Sequence, residues 1–185
     1  MEPIEDQALT RGRCIEQLQK IEDDTDITSA SNFFIAQNWE GWNTKLGLFI
    51  VGLSGIVTVI SAILALEELK EYRVYLTVIS TIFASAATAI GSVLTFLKPS
   101  ERASRYRDFG NKQKDLRNRI RIYRSIESSQ ALDLNSIIHT LKDFSEEKNA
   151  LNSDNPPIDR SAFVVASQDI AEKRQRRAKM EAAPK

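Results

Sequence analysis

LGLFIVGLSGIVTVISAILAL, residues 46–66, runs for 21 positions without a charged side chain. As an α-helix rising 1.5 Å per residue it is about 31 Å long, the thickness of the hydrocarbon core of a bilayer. A second uncharged run, VYLTVISTIFASAATAIGSVLTFL at 74–97, has 24 residues and can span with some tilt. Elsewhere the chain is polar: 27% of its 185 residues are charged, and the formal net charge is zero. The average therefore resembles a soluble protein, while the apolar residues are concentrated in the middle. A chain this short has too little other material to bury two helices that are apolar all round. The two runs are thus predicted to be transmembrane helices.

Seven residues, EELKEYR at 67–73, join the runs. So short a polar turn makes the helices antiparallel neighbours with both flanks on one side. Basic residues near the ends choose the side. The turn holds Lys70 and Arg73, whereas residues 98–124 hold ten basic against three acidic side chains. This predicts a multi-pass membrane protein with both termini cytoplasmic; the expected location is the cell inner membrane. Trp39 and Trp42 before the first run, and Tyr72 and Tyr75 beside the second, suit the aromatic belts of the two interfaces. The first apolar run begins about 45 residues in, behind a polar segment, so it is expected to act as its own membrane signal.

The expected fold class is an all-α membrane protein: a two-helix transmembrane hairpin with N-terminal helices and a cytoplasmic C-terminal helical region. The divisions are 1–45, one or two N-terminal helices; 46–66 and 74–97, the spans; 67–73, the outer turn; 98–171, the helical region; and 172–185, a basic flexible tail. Lys98-Pro99 predicts a kink or a fresh helix start, because proline disfavours helix in the residue before it and suits a first turn. Glu101 in that turn complements the helix dipole. A further helix is expected over 133–151, a break at NSDNPP (152–157), and a short helix over 161–171.

Chemistry-bearing motifs are sparse. Cys14 is the one cysteine and His139 the one histidine. An internal disulfide is therefore impossible, a zinc site is not expected, and Cys14 reads as a small buried residue. With no glycine-rich phosphate loop and no Ser/His/Asp set, neither catalysis nor a bound cofactor or metal is expected. Nucleic acid is not an expected partner, since the positive-inside rule already accounts for the basic charge. The acidic cluster Glu22, Asp23, Asp24 and Asp26 can be a solvated face, or can pair with the basic helix after Pro99 within or between chains.

The spans are rich in small and hydroxyl residues, which allow close helix packing and interhelical hydrogen bonds. A second reading is that some hydroxyls line a water-filled path in an oligomer, since two helices alone cannot enclose one. The candidate pore-lining residues are Ser54, Thr58 and Ser61 in the first span, with Ser85, Thr88, Ser92 and Thr95 in the second. Neither span carries Asp, Glu, Lys or Arg, which excludes a charged ring at the midplane. Beyond Pro99, Tyr106, Phe109, Gln113, Leu116, Ile120 and Tyr123 form a heptad seam. It fits packing within the chain and self-association equally. The basic residues around it can also hold anionic lipid headgroups.

Several features together suggest a family: Trp39 before two close spans, Phe96-Leu-Lys-Pro99 with Glu101-Arg102-Ala103, the Tyr/Phe heptad helix, and Pro156-Pro157-Ile158. Over residues 39–166 the chain resembles the SLATT family of two-transmembrane effector domains. The resemblance implies an oligomeric pore-forming effector of a prokaryotic conflict or antiviral system, which disrupts membrane potential when triggered. It also implies a separately encoded nucleotide sensor or synthase as partner, because this chain shows no sensor motif of its own. The competing expectation is a non-conducting membrane scaffold that recruits a cytoplasmic partner through its C-terminal helices.

Overall fold

A computed structural model describes residues 4–65, 71–129 and 133–181. They form five α-helices and no β-strand: α1 (Ile4–Leu64), α2 (Arg73–Leu97), α3 (Pro99–Ser129), α4 (Leu134–Asp154) and α5 (Arg160–Glu181). Proline marks the α2–α3 and α4–α5 divisions, because it removes a backbone donor and clashes with the preceding turn. Neither α1 nor α2 contains one. Pro99 is the first residue of α3, and Pro156 and Pro157 occupy the gap between α4 and α5.

Two helices run past the expected divisions. The N-terminal segment and the first apolar run form one unbroken helix of 61 residues, with no break near residue 45. Isolated glycines such as Gly41 and Gly47 each weaken a helix by about 1 kcal/mol but leave its hydrogen bonds intact. At the other end, the basic tail expected to be flexible from Glu172 is helical as far as Glu181. Ion pairs one turn apart, Lys173–Asp169 at 2.6 Å and Arg176–Glu172 at 3.3 Å, support that extension. Most of the 67–73 turn lies outside the described residues.

The break at Lys98 is sharp. Its backbone is left-handed (φ 46°, ψ 55°), the one non-glycine residue of positive φ among those described. The Lys98 N–H donates to Leu94 O at 3.0 Å, closing α2, and its carbonyl accepts from the Arg102 N–H at 3.1 Å, opening α3. One residue therefore serves both helix ends, at the steric cost of a Cβ in the left-handed region.

The chain divides into two compact units. The first, Met1–Ala36 with Ser104–Lys185, is a helical bundle. Its apolar centre is Leu18 and Ile21 of α1 with Leu116 and Ile120 of α3, flanked by Tyr123, Leu141, Phe144 and Leu151. Tyr123 meets Phe144 edge-on, with ring centroids 6.1 Å apart. Cys14 is also buried.

The second unit, Gln37–Ala103, contains the apolar end of α1 and all of α2. Both helices are long and apolar enough to cross a membrane. At one end Arg73 Nη2 of α2 reaches Leu64 O of α1 at 3.5 Å, and at the other the Arg102 guanidinium, in the first turn of α3, lies 5.0 Å from the Trp39 ring centre. The two apolar stretches therefore run antiparallel. Little is covered between them. Ile60 is the one buried side chain of the α1 apolar stretch, and α2 has none.

Candidate functional site

Three sides of α2 carry different chemistry. The half-buried positions, among them Leu76, Phe83, Ile90 and Leu94, mark the side turned toward α1. A second side carries large exposed apolar residues: Val78, Ile82, Val93 and Phe96, the last 85% exposed. The third side is a stripe of Thr77, Thr81, Ala84, Thr88, Ser92 and Thr95. These positions fall within an arc of about 80° at 3.6 residues per turn. The stripe is exposed along its length and turned away from α1.

Each hydroxyl of the stripe donates to the carbonyl one turn back. Thr77 bonds Arg73 O and Thr81 bonds Thr77 O, both at 2.8 Å, while Thr88, Ser92 and Thr95 bond Ala84 O, Thr88 O and Gly91 O at 2.9 Å. This satisfies the donor inside the helix and leaves oxygen lone pairs facing outward as acceptors. Small side chains make the middle of the stripe a shallow trough of about 550 Å³, lined by Ser80, Thr81, Ala84, Ser85, Thr88, Ala89 and Ser92. A surface of this kind can pack against another helix or border water, and it carries no formal charge.

Of the seven candidate lining residues, Ser85, Thr88 and Ser92 border the trough, and Thr95 continues the stripe beyond it. Ser54, Thr58 and Ser61 do not border it. They are exposed on α1, where Thr58 bonds Ser54 O at 2.9 Å and Ser61 bonds Val57 O at 2.8 Å. Thr77, Ser80 and Thr81 were not among the candidates. Ser80 and Thr81 stand four and three residues before Ala84, and Thr77 four before Thr81; that spacing is the signal that places them with the others.

The heptad seam of α3 is occupied within the chain. Gln113, Leu116 and Ile120 are fully buried, while Tyr106, Phe109 and Tyr123 are half-buried. Gln113 Nε2 donates to Asn152 Oδ1 at 3.2 Å, and the Tyr106 hydroxyl donates to Pro157 O at 2.8 Å. The acidic cluster on α1 is likewise engaged by three different helices. Glu22 meets Arg124 of α3, Asp23 meets Arg174 of α5 and Asp24 meets Lys148 of α4, each at 2.6 Å. Asp26 meets Arg117 of α3 at 2.5 Å. A cleft lined by Asp26, Arg117, Asp169, Lys173 and Arg174 has all its charges paired in this way.

Arg119 bonds Glu147, which holds the guanidinium more firmly in its charged form. His139 is exposed and lies 3.0 Å from Asp143. Among the described residues, no group of three or more His, Cys, Asp or Glu side chains is placed to hold a metal ion. Compared with protein-family models, curated proteins and solved structures, the chain matches none, so its reading rests on its own residues.

Proposed function

We propose that the chain is a two-span membrane protein whose copies assemble into a pore, with the hydroxyl stripe of α2 facing the water path. The observation that carries this reading is the three-sided character of α2: one side meets α1, one is uncovered and apolar, and one is uncovered and hydroxyl-rich. Each side suits a different neighbour, namely the partner span, lipid, and water or a second copy.

The bilayer follows from magnitude. Leaving a large apolar side chain in water forfeits about 1.5–3 kcal/mol. Leu48, Phe49, Val51, Ile56, Val59, Val78, Ile82, Val93 and Phe96 are all more than two-fifths exposed. Their combined cost in water, on the order of 15 kcal/mol, rivals the whole stability of an ordinary domain. A core helix of a soluble protein would have those side chains covered. Charge asymmetry favours the bundle and both termini in the cytoplasm. Arg102 stacked on Trp39 suits an interfacial position, where a cation and an amphipathic ring are both stable.

The resemblance to SLATT effectors adds the biological role: disruption of membrane potential in a prokaryotic antiviral system, triggered by a separate nucleotide sensor or synthase. A non-conducting scaffold is the second reading. Ile122, exposed on α3, favours it as part of a docking face.

The test is membrane potential, read by a dye in cells, after expression of the natural chain and of a variant with Thr88→Leu and Ser92→Leu. Depolarisation by the natural chain and not by the variant is the expected result. Equal depolarisation by both would remove the stripe from the wall of the path. A silent natural chain that still recovers a cytoplasmic partner would favour the scaffold.

A further inference from the structure

The buried face of α1 changes character along the bundle. Cys14, Leu18 and Ile21 come first, all apolar. Thr25, Ser29 and Asn32 follow, buried and polar, before Ala36. The opposing helix α3 runs antiparallel to it, since Glu22 meets Arg124, Asp26 meets Arg117, and Ser29 meets Gly110. Its buried face changes in step, from Ile120 and Leu116 to Gln113 and Gly110. The bundle thus has an apolar half and a polar half. By sequence, the polar half adjoins the unit that begins at Gln37 and ends at Ala103.

The polar half is also incompletely satisfied. Ser29 donates its hydroxyl to Gly110 O at 2.8 Å. Asn32 and Gln113, each three residues from one end of that bond, are fully buried. Their amide N–H groups are used, by Thr28 O at 3.1 Å and by Asn152 Oδ1 at 3.2 Å. Their carbonyl oxygens accept nothing from the protein. Other buried atoms without a partner, on Tyr123, Arg124 and Asn155, belong to residues that still reach solvent. A buried acceptor without a donor favours states in which water reaches it. The fully buried side chains of 25–36 and 104–113 are polar or small, unlike Leu18, Ile21, Leu116 and Ile120, and local opening concentrates where buried apolar contacts are few.

We propose that residues 25–36 of α1 and 104–113 of α3 form a hydrated joint that opens locally while the apolar half of the bundle stays closed. Opening admits water to the carbonyls of Asn32 and Gln113 and breaks the Ser29–Gly110 bond. The apolar half, held by Leu18, Ile21, Leu116 and Ile120, keeps the helices registered and lets the joint reclose. The joint is a property of the bundle and stands whether or not the chain forms a pore.

The experiment is native-state hydrogen exchange, read by mass spectrometry on the full chain in lipid nanodiscs. Amides of 25–36 and 104–113 are expected to exchange on the order of tenfold faster than those of 14–22 and 116–123. Gln113→Leu should slow exchange in 104–113 selectively and raise the melting temperature, because it removes an unsatisfied acceptor. Asn32→Leu is a second, independent substitution with the same expected effect on 25–36. Equal or slower exchange in the polar half of the natural chain would overturn the proposal. So would faster exchange of 104–113 in folded Gln113→Leu.

Discussion

The bundle and the apolar pair are made of the same kind of element, and they hide opposite things. In the bundle, Leu116 and Ile120 are inside, and the carboxylates of Glu22, Asp23, Asp24 and Asp26 hold cations from α3, α4 and α5. In the pair, Phe96 and Val78 are outside, and no charge lies between residues 74 and 97. The α1 backbone passes through both units without interruption. The difference therefore comes from side chains and the solvent they suit. Water drives apolar groups inward and leaves ionic pairs to tie helices together, whereas hydrocarbon removes the first drive and forbids the second.

Truncation gives the sharpest contrast. Leu116→Ala empties a fully buried site and should destabilise the bundle by about 2–5 kcal/mol in denaturant titration. On the proposal that α2 spans a bilayer, Val78→Ala on its exposed apolar face should cost under about 1 kcal/mol, since lipid would fill the gap. Comparable losses at the two sites would erase the distinction between the units.

A smaller effect separates buried from exposed charge. Glu127 is buried, and Arg11 reaches it at 2.6 Å. Arg11→Ala would strand that carboxylate, at about 1–3 kcal/mol read from the melting temperature. Lys142→Ala breaks only the exposed pair with Glu146, 3.8 Å apart, and should stay within about 0.5 kcal/mol. The smallest effect has the opposite sign. Lys98→Gly relieves a left-handed residue at the α2–α3 break and should stabilise by up to about 1 kcal/mol. No gain at Lys98 would mean that its ion pair with Glu101 offsets the strain.

Much of the architecture was legible in the chain because it depends on neighbours in sequence. Two uncharged runs of membrane length, helices throughout, and a break at Lys98-Pro99 follow from composition, periodicity and the missing proline N–H. The hydroxyl positions could be placed on one helix face by their spacing alone. The heptad seam from Tyr106 to Tyr123 was equally visible, since periodicity marks which residues are buried.

What the seam packs against depended on contacts distant in sequence, and the tertiary structure decided it: Leu18 and Ile21 of the same chain, with Asn152 and Pro157 closing its polar end. The same holds for the acidic cluster on α1. Its composition allowed a solvated face or a set of pairs, and only folding brought Arg117, Arg124, Lys148 and Arg174 within reach. The helical extension past Glu172 has the same origin, since Arg174 is tied to Asp23 across the bundle. Local chemistry determines which stretches are helical and which sides are apolar. Which sides meet is set by the summed packing and charge of the whole chain, a quantity no window of sequence contains.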